Sequence, residues 1–373
     1  MDVHGGEGYI CALIRLHMIT TEPKIAVHPI ERSRLPETDL ANLKFGRVFT
    51  DHMFVMDYQD GAWERPRIVP FGDEELSPAT LVLHYAQTIF EGMKAYRNER
   101  GEVALFRADA NIARMNRSAK RMCMPEIPED LFLEGLKELV RMDAGWVPEG
   151  DDGALYIRPF MYAEDEYIGV KPSDGYRFAI FICPVRAYYQ EPLKVRIELE
   201  YSRAFPGGTG EVKCGGNYAG GLYPSKMGQN DGYHQLLWTD AMEHKYIEES
   251  GTMNVFFILD GVLTTPSLDG TILPGITRDS ILKIAREKGM PVEERKVTVE
   301  EVVSGVRNGR LTAAFGAGTA ATIAPIAVIG YNGEDLQLPA VDEDSEVMKI
   351  GVMLDDIRRG RVADTYSWVV KAS

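Results

Sequence analysis

Gly207-Gly208-Thr209-Gly210-Glu211-Val212-Lys213-Cys214-Gly215-Gly216-Asn217-Tyr218-Ala219-Gly220-Gly221 sets one lysine in a run where seven of fifteen residues are glycine, with a tyrosine five positions on. Glycine loses the most backbone entropy on ordering, so its accumulation marks backbone that takes unusual dihedrals or approaches another group closely. A lysine held and desolvated there loses part of its preference for the ammonium form, which is how a Schiff-base lysine is made. A mobile surface loop with an incidental lysine is the competing reading. The surrounding sequence has to choose.

At 373 residues the chain exceeds one ordinary core, so two domains are expected. Apolar residues at 45% and charged residues at 26% describe a globular protein, and a net charge of −15 argues against nucleic acid. Cys11, Cys123, Cys183 and Cys214 form no CxxC and no pairing framework, which suits a reducing cytosol. The apolar patch Tyr9 to Leu13 is preceded by Asp2 and Glu7 and followed by Arg15, a poor secretion signal. No apolar run approaches bilayer-spanning length, so no membrane partner is expected.

Residues 1–40 read as an irregular N-terminal extension. Short β-type runs follow at Val48 to Thr50, Met53 to Met56 and Arg67 to Val69, with a turn at Asp60-Gly61. Asp109 is placed to cap a helix over Ala110 to Met122, with Ile112, Met115, Ala119 and Met122 at helical spacing. Pro128 opens a second helix through Arg141, its apolar face Phe132, Leu136, Leu139 and Val140. Strands are expected over Ala154 to Phe160, Tyr176 to Cys183, Lys194 to Tyr201, Gly232 to Asp240 and Asn254 to Leu259, the last turning at Asp260-Gly261 into a hairpin. Thr277 is placed to cap a helix over Arg278 to Lys288 ending at Gly289, and Val297 to Asn308 reads as another short helix. The segment Arg186 to Leu193 reads as the interdomain stretch, with the linker at 189–193. That leaves domains at 41–188 and 194–373. Strands and helices mixed in both halves argue an α+β architecture.

Several chemistries fail on inspection. Gly210-Glu211-Val212-Lys213-Cys214 lacks the Gly-Lys-Ser/Thr ending of a phosphate-binding loop. Gly-x-Ser-x-Gly and His-Glu-x-x-His do not occur, and the seven histidines show no metal-ligand spacing. His52 and His84 read as hydrogen-bonded structural residues, and no metal is expected. A reactive lysine that remains needs an aldehyde cofactor. Pyridoxal phosphate would require a carboxylate for its ring nitrogen, an arginine and backbone NH donors for its phosphate, and a donor for its phenolate oxygen. Glu249, at the mouth of an apolar strand, offers the first or is a solvated turn acid, the reading given to neighbouring Glu248. Thr277, after Leu273-Pro274-Gly275-Ile276, opens a helix whose NH groups could receive phosphate. Gly316-Ala317-Gly318-Thr319-Ala320 suits an anion nest or a tight core turn. Arg107, at a strand end, could clamp phosphate or pair at the surface. Tyr156 and Arg158, two apart in a strand, share one face and could offer a phenol and a cation to one anionic ligand.

Together these segments resemble the branched-chain amino-acid aminotransferases of the fold-type-IV pyridoxal-phosphate class. The matching strings are Phe49-Thr50-Asp51-His52-Met53, Phe90-Glu91-Gly92-Met93-Lys94-Ala95-Tyr96, Leu105-Phe106-Arg107, Tyr156-Ile157-Arg158-Pro159, Lys213-Cys214-Gly215-Gly216-Asn217-Tyr218, Glu249-Ser250-Gly251-Thr252-Met253-Asn254, Leu273-Pro274-Gly275-Ile276-Thr277-Arg278 and Gly318-Thr319-Ala320, in family order from about residue 45 onward.

The resemblance implies a smaller sandwich-like N-terminal domain and a larger C-terminal pseudo-barrel domain, with pyridoxal 5'-phosphate at their interface. It implies that Lys213 carries an internal aldimine, that Tyr218 meets the phenolate oxygen and that Glu249 meets the ring nitrogen. Arg107, Ile276, Thr277 and Thr319 would hold phosphate, with Arg203 nearby. Phe49, Tyr85, Phe90 and Tyr156 would line an apolar pocket, while Thr252, Ala320 and Arg158 would surround the substrate's carboxylate or side-chain end. Val170 would reach a neighbouring subunit's site in a homodimer. The implied reaction is reversible amino transfer between leucine, isoleucine or valine and 2-oxoglutarate in the cytoplasm. A D-amino-acid aminotransferase, an aminodeoxychorismate lyase and a silent cofactor- or phosphate-binding protein are the rivals. Two departures stand out: Ala321 and Ala324 occupy the CxxC positions of vertebrate members, implying no thiol switch, and Cys214 replaces a common methionine.

Overall fold

Two sheets carry the chain in the computed structural model, which describes residues 25–186, 191–341 and 345–372. The Tyr9–Leu13 patch, Cys11 and the centre of the expected linker lie outside the described residues. In the first sheet the strands run Ala26–Val27, Ala62–Pro70, His52–Gln59, Tyr176–Val185, Ala154–Ala163, Met93–Arg97, Val103–Phe106 and Val369–Lys371, with Thr88–Phe90 also on Ala154–Ala163. Thr88–Phe90 and Met93–Arg97 lie along the same long neighbour, broken at Glu91-Gly92, where Glu91 N donates to Pro159 O (2.8 Å). Residues 25–40 do not trail free: Ala26 and Val27 join the sheet, and Ser33 Oγ donates to Asp51 (2.5 Å).

The second sheet closes on itself. Met253–Leu259, Leu311–Gly318, Thr322–Tyr331, Leu193–Ile197, Gln235–Thr239 and Tyr246–Ser250 pair in that order, and Tyr246–Ser250 pairs back to Met253–Leu259. The seam of this barrel is the tight turn Gly251-Thr252, with Glu249 opposite Asn254. Closure gives each of these six strands a partner on both sides, which is how a strand-rich unit avoids edge pairing.

Eight α-helices occur among the described residues: α1 (Leu81–Tyr85), α2 (Ala108–Arg121), α3 (Glu129–Met142), α4 (Gly215–Gly220), α5 (Leu222–Asn230), α6 (Ile276–Glu287), α7 (Val299–Arg307) and α8 (Glu346–Arg358). The apolar periodicity of α2 and α3 is obeyed: Ile112, Met115, Ala119, Phe132, Leu136, Leu139 and Val140 are buried against the first sheet, each large side chain contributing about 1.5–3 kcal/mol. Their caps differ from expectation. Helix α2 starts at Ala108 with Arg107, not Asp109, in the N-cap position. Helix α6 starts at Ile276 after Gly275, so Thr277 lies inside the first turn and does not cap it. Val297–Thr298 is a strand end, and α7 is capped by Thr298, whose hydroxyl accepts from Glu301 N. A third apolar cluster joins the two sheets: Tyr96, Phe106 and Trp368 from the first pack with α6, α8, Phe256 and Phe315. No helix of the described residues is long and apolar enough to cross a membrane.

Candidate active site

Lys213 stands between the two sheets. Its carbonyl accepts from Phe90 N (3.0 Å), and its N–H donates to Ser118 Oγ (3.2 Å). Cys214 beside it bridges to Ile89 and is buried in the first sheet's core. This anchors the lysine backbone to the small sheet while α4, which begins two residues after Lys213, carries Tyr218. One helical turn brings the phenol back over the lysine, and Lys213 Nζ lies 2.8 Å from Tyr218 Oη. Asn217 locks the preceding turn, its Nδ2 donating to Thr209 O (2.6 Å) and Val212 O (2.8 Å). The glycine-rich run is therefore a turn leading into two helices. Gly210 shows why glycine is needed: a Cβ there would run into the Thr271 backbone. Lys213 is half-buried, not largely desolvated as expected.

Glu249 occupies the barrel seam and is 3% exposed. Its Oε1 accepts from Leu273 N (3.1 Å) and Asn254 Nδ2 (3.2 Å), and its Oε2 lies 2.7 Å from Arg203 Nε. Burial pushes the carboxyl up, opposed by the Arg203 guanidinium. Arg203 thus sits on this carboxylate, where the resemblance implied a place near phosphate. Glu248 is no solvated turn acid: it is 5% exposed, its Oε1 lies 2.6 Å from Thr271 Oγ1, and burial pushes it up to about 6.

Helix α6 begins with no side chain capping its first turn, leaving its NH groups to another acceptor. Arg107 lies against this helix: Nη1 is 2.9 Å from Ser280 Oγ, 3.3 Å from Ile276 O and 2.6 Å from Asp279. It is 8% exposed, its guanidinium 5.0 Å from the Trp368 ring, and its backbone is left-handed at φ +52°. A non-glycine residue in that region stores strain of the kind that collects at functional sites. Ile276, Thr277 and Arg107 are thereby gathered at one helix end. Thr319, in the second anion-suited turn of the sequence, has its Oγ1 donating to Gly92 O (3.0 Å).

An aromatic wall faces the lysine. Phe90 packs on Tyr218 (4.8 Å between centroids), and Lys213 Nζ and the Arg158 guanidinium lie 4.8 Å and 4.7 Å from the same Phe90 ring. Arg158 Nη2 donates to Tyr156 Oη (3.1 Å), so the pair does share a face. Phe49 stacks on Phe71 and meets Phe181 edge-on. Thr252 lines a cavity of about 160 Å³ with Arg203, Tyr218, Glu249 and Leu273. Ala320 presents its carbonyl to Lys94 Nζ (2.7 Å). Tyr85 and Val170 are not drawn in: Tyr85 is 42% exposed with its ring against His84, and Val170 is 93% exposed. His52 pairs with Asp143 (2.7 Å) and His84 with Ala79 O (3.1 Å), both structural.

Sequence reasoning overlooked the support behind these groups. Glu91 and Arg114 form a buried bidentate pair (2.8 and 2.7 Å), and Arg114 also donates to Pro274 O (3.0 Å), tying the small sheet to the turn before α6. Only the string containing Glu91 carried a signal. The donor set fits pyridoxal phosphate on the structure's own terms: a primary amine touching a phenol, a buried carboxyl held by three donors, and an arginine at an uncapped helix N-terminus.

The class IV amino-transferase family model matches residues 88–329. The branched-chain-amino-acid aminotransferase 2 of Bacillus subtilis strain 168 is 43% identical over 345 residues, 91% of this chain and 95% of that protein. The branched-chain-amino-acid aminotransferase of Mycobacterium tuberculosis H37Rv is 42% identical, covering 90% and 94%. Among solved structures, the branched-chain amino acid aminotransferase from Escherichia coli superposes with a TM-score of 0.70 at 27% identity, covering 87% of this chain and 99% of that one.

Proposed function

The chain belongs to the branched-chain-amino-acid aminotransferases of class IV, and from that membership we propose that it moves the amino group of L-leucine, L-isoleucine or L-valine reversibly to 2-oxoglutarate. One observation carries the proposal: the Lys213 amine and the Arg158 guanidinium lie on the same Phe90 ring. Such a site offers an aliphatic side chain an aromatic wall and offers glutamate's second carboxylate a cation, both beside the reacting amine.

Pyridoxal phosphate, when bound, supplies an aldehyde carbon for amine exchange and an electron-withdrawing ring. Lys213 Nζ is the group that would hold the aldehyde and, once displaced by the substrate's amine, take the proton from the substrate Cα and return it on the other side of the exchange. Tyr218 Oη keeps that amine in place. Glu249 would pair with the ring nitrogen, and its burial favours keeping a proton at that position. Arg107, the first turn of α6 and Thr319 would take the phosphate. Phe49, Phe90 and Tyr156 exclude water from the aliphatic side chain, while Thr252 and Ala320 flank the α-carboxylate.

We place two such chains together as a homodimer. Leu83, Tyr85, Tyr167, Ile168 and Val170 are exposed on neighbouring segments, Tyr167 N donating to Ala79 O (3.2 Å), and a shared interface would give Val170 and Tyr85 the pocket role they lack in one chain. The unpaired thiols of Cys123, Cys183 and Cys214 are compatible with the cytoplasm.

The test is a visible spectrum of the purified holoenzyme before and after L-leucine, with oxo-acid release measured using 2-oxoglutarate. L-leucine should bleach the band and form 4-methyl-2-oxopentanoate. Activity on D-alanine alone would move the assignment to a D-amino-acid aminotransferase, and a Lys213→Ala protein with wild-type absorbance and turnover would end the lysine's role.

A further inference from the structure

Lys94 is a buried cation that the reaction as described does not use. It lies on the strand Met93–Arg97 and is 9% exposed. Its Nζ donates to Ala320 O (2.7 Å), and among the described residues no carboxylate lies within ion-pair distance of it. Burying an ammonium is expensive unless an anion compensates it. The turn it touches is gripped from two other sides: Thr319 Oγ1 donates to Gly92 O (3.0 Å), and Arg358 Nη1 donates to Thr322 Oγ1 (2.7 Å). Thr322 has φ +60°, a strained value for a β-branched residue, so this turn is held in its shape by its surroundings. An ammonium on the carbonyl side of the Ala320–Ala321 peptide also polarises its N–H, strengthening that group as a donor.

We propose that Lys94 is a positioning residue for the substrate's α-carboxylate, acting through the Ala320 peptide and supplying the positive charge that the carboxylate neutralises. The inference rests on the aminotransferase reading and deepens it. It accounts for an uncompensated buried charge directly behind the turn assigned to that carboxylate.

The surroundings make the effect readable by pH. Burial first, then Arg358 and Arg359 at the end of α8, push Lys94 down to about 7, with Asp355 from α8 and Cys183 from the strand Tyr176–Val185 opposing them; Asp151, Asp152, Arg186 and Glu191 share the cavity that Lys94 lines. A carboxylate arriving nearby favours the ammonium, so its binding takes up a proton above that pH and weakens as pH rises.

The experiment measures binding of 4-methylpentanoate, a carboxylate with leucine's side chain and no amine, to the holoenzyme by calorimetry at pH 6.5 and pH 8.5. Wild type should bind about tenfold more weakly at the higher pH, the effect of losing one charge-assisted contact. K94M should bind weakly at both, and K94R tightly at both, with thermal midpoint and cofactor absorbance marking each variant as folded and loaded. If K94M fails to fold, K94R alone decides: the wild-type pH dependence persisting in K94R overturns the assignment, as does K94M binding like wild type. A wild-type holoenzyme that fails to convert L-leucine would overturn the functional reading instead.

Discussion

Replacing Glu248 by glutamine tests the proton accounting behind the barrel seam. Thr271 Oγ1 lies 2.6 Å from Glu248 Oε1 and 2.8 Å from Asp269 Oδ1. A hydroxyl carries one proton, so both contacts are hydrogen bonds only when one carboxyl is protonated. Asp269 is exposed, whereas Glu248 is buried and its Oε2 finds no partner among the described residues. The proton therefore belongs to Glu248, in keeping with a carboxyl pushed from 4.5 up to about 6. A carboxyl raised in the fold binds its proton more tightly folded than unfolded; its contribution is full below about 4.5 and is lost as pH rises through about 6. Over the whole window that amounts to about 2 kcal/mol, with about 1.3 kcal/mol falling between pH 5 and pH 8. Glutamine is neutral throughout and escapes the loss. For 373 residues the difference corresponds to about 1.5 °C in thermal midpoint. Calorimetric scans of wild type and E248Q from pH 5 to pH 8 should show the variant gaining on wild type, with most of the gain reached by about pH 6.5. A constant offset at every pH would refute the reasoning, because it would mean that Glu248 is ionised throughout.

Three further outcomes follow from the site's geometry. R114M strands Glu91 without its buried partner and should lower stability by about 3–5 kcal/mol, while an E91L/R114M double variant should recover most of it in denaturant titration. In G92A the new Cβ would fall inside the Tyr156 hydroxyl, so the Tyr156–Arg158 pair must shift; KM for 2-oxoglutarate should rise about tenfold with a smaller change in kcat. E249Q removes the ionisable group proposed to meet the ring nitrogen and leaves Arg203 without its carboxylate, so kcat should fall about a hundredfold or more in a leucine assay.

What the letters conveyed depended on range. Helices α2 and α3 were legible because Ile112, Met115, Phe132 and Leu136 repeat with the helical period and all face one core. Their starts were not, because Arg107 and Gly275 take cap positions on the strength of contacts from Trp368 and Asn254, far away in sequence. The glycine-rich run hid α4 and α5, since glycine's low helix propensity is overridden by Asn217 and by packing of the turn on Thr271. Lys213, Tyr218, Glu249 and Arg107 were found by chemical type and motif. Lys94, Arg114 and Glu248 were missed because their significance lies in burial and partners, which a single sequence does not display.

Trp368 to Lys371 give the fold one last consequence, concerning time. The strand Val369–Lys371 pairs with Val103–Phe106, and Trp368 O receives Arg107 N (2.7 Å) while its ring lies against the guanidinium. A ribosome makes Arg107 more than 250 residues before the tryptophan that holds it. The second sheet and the other strands of the first precede it in the chain, but the contacts that hold the arginine's left-handed perch come last. With Arg107 in its proposed phosphate role, that grip waits for Trp368, and cofactor loading becomes a step that follows its synthesis.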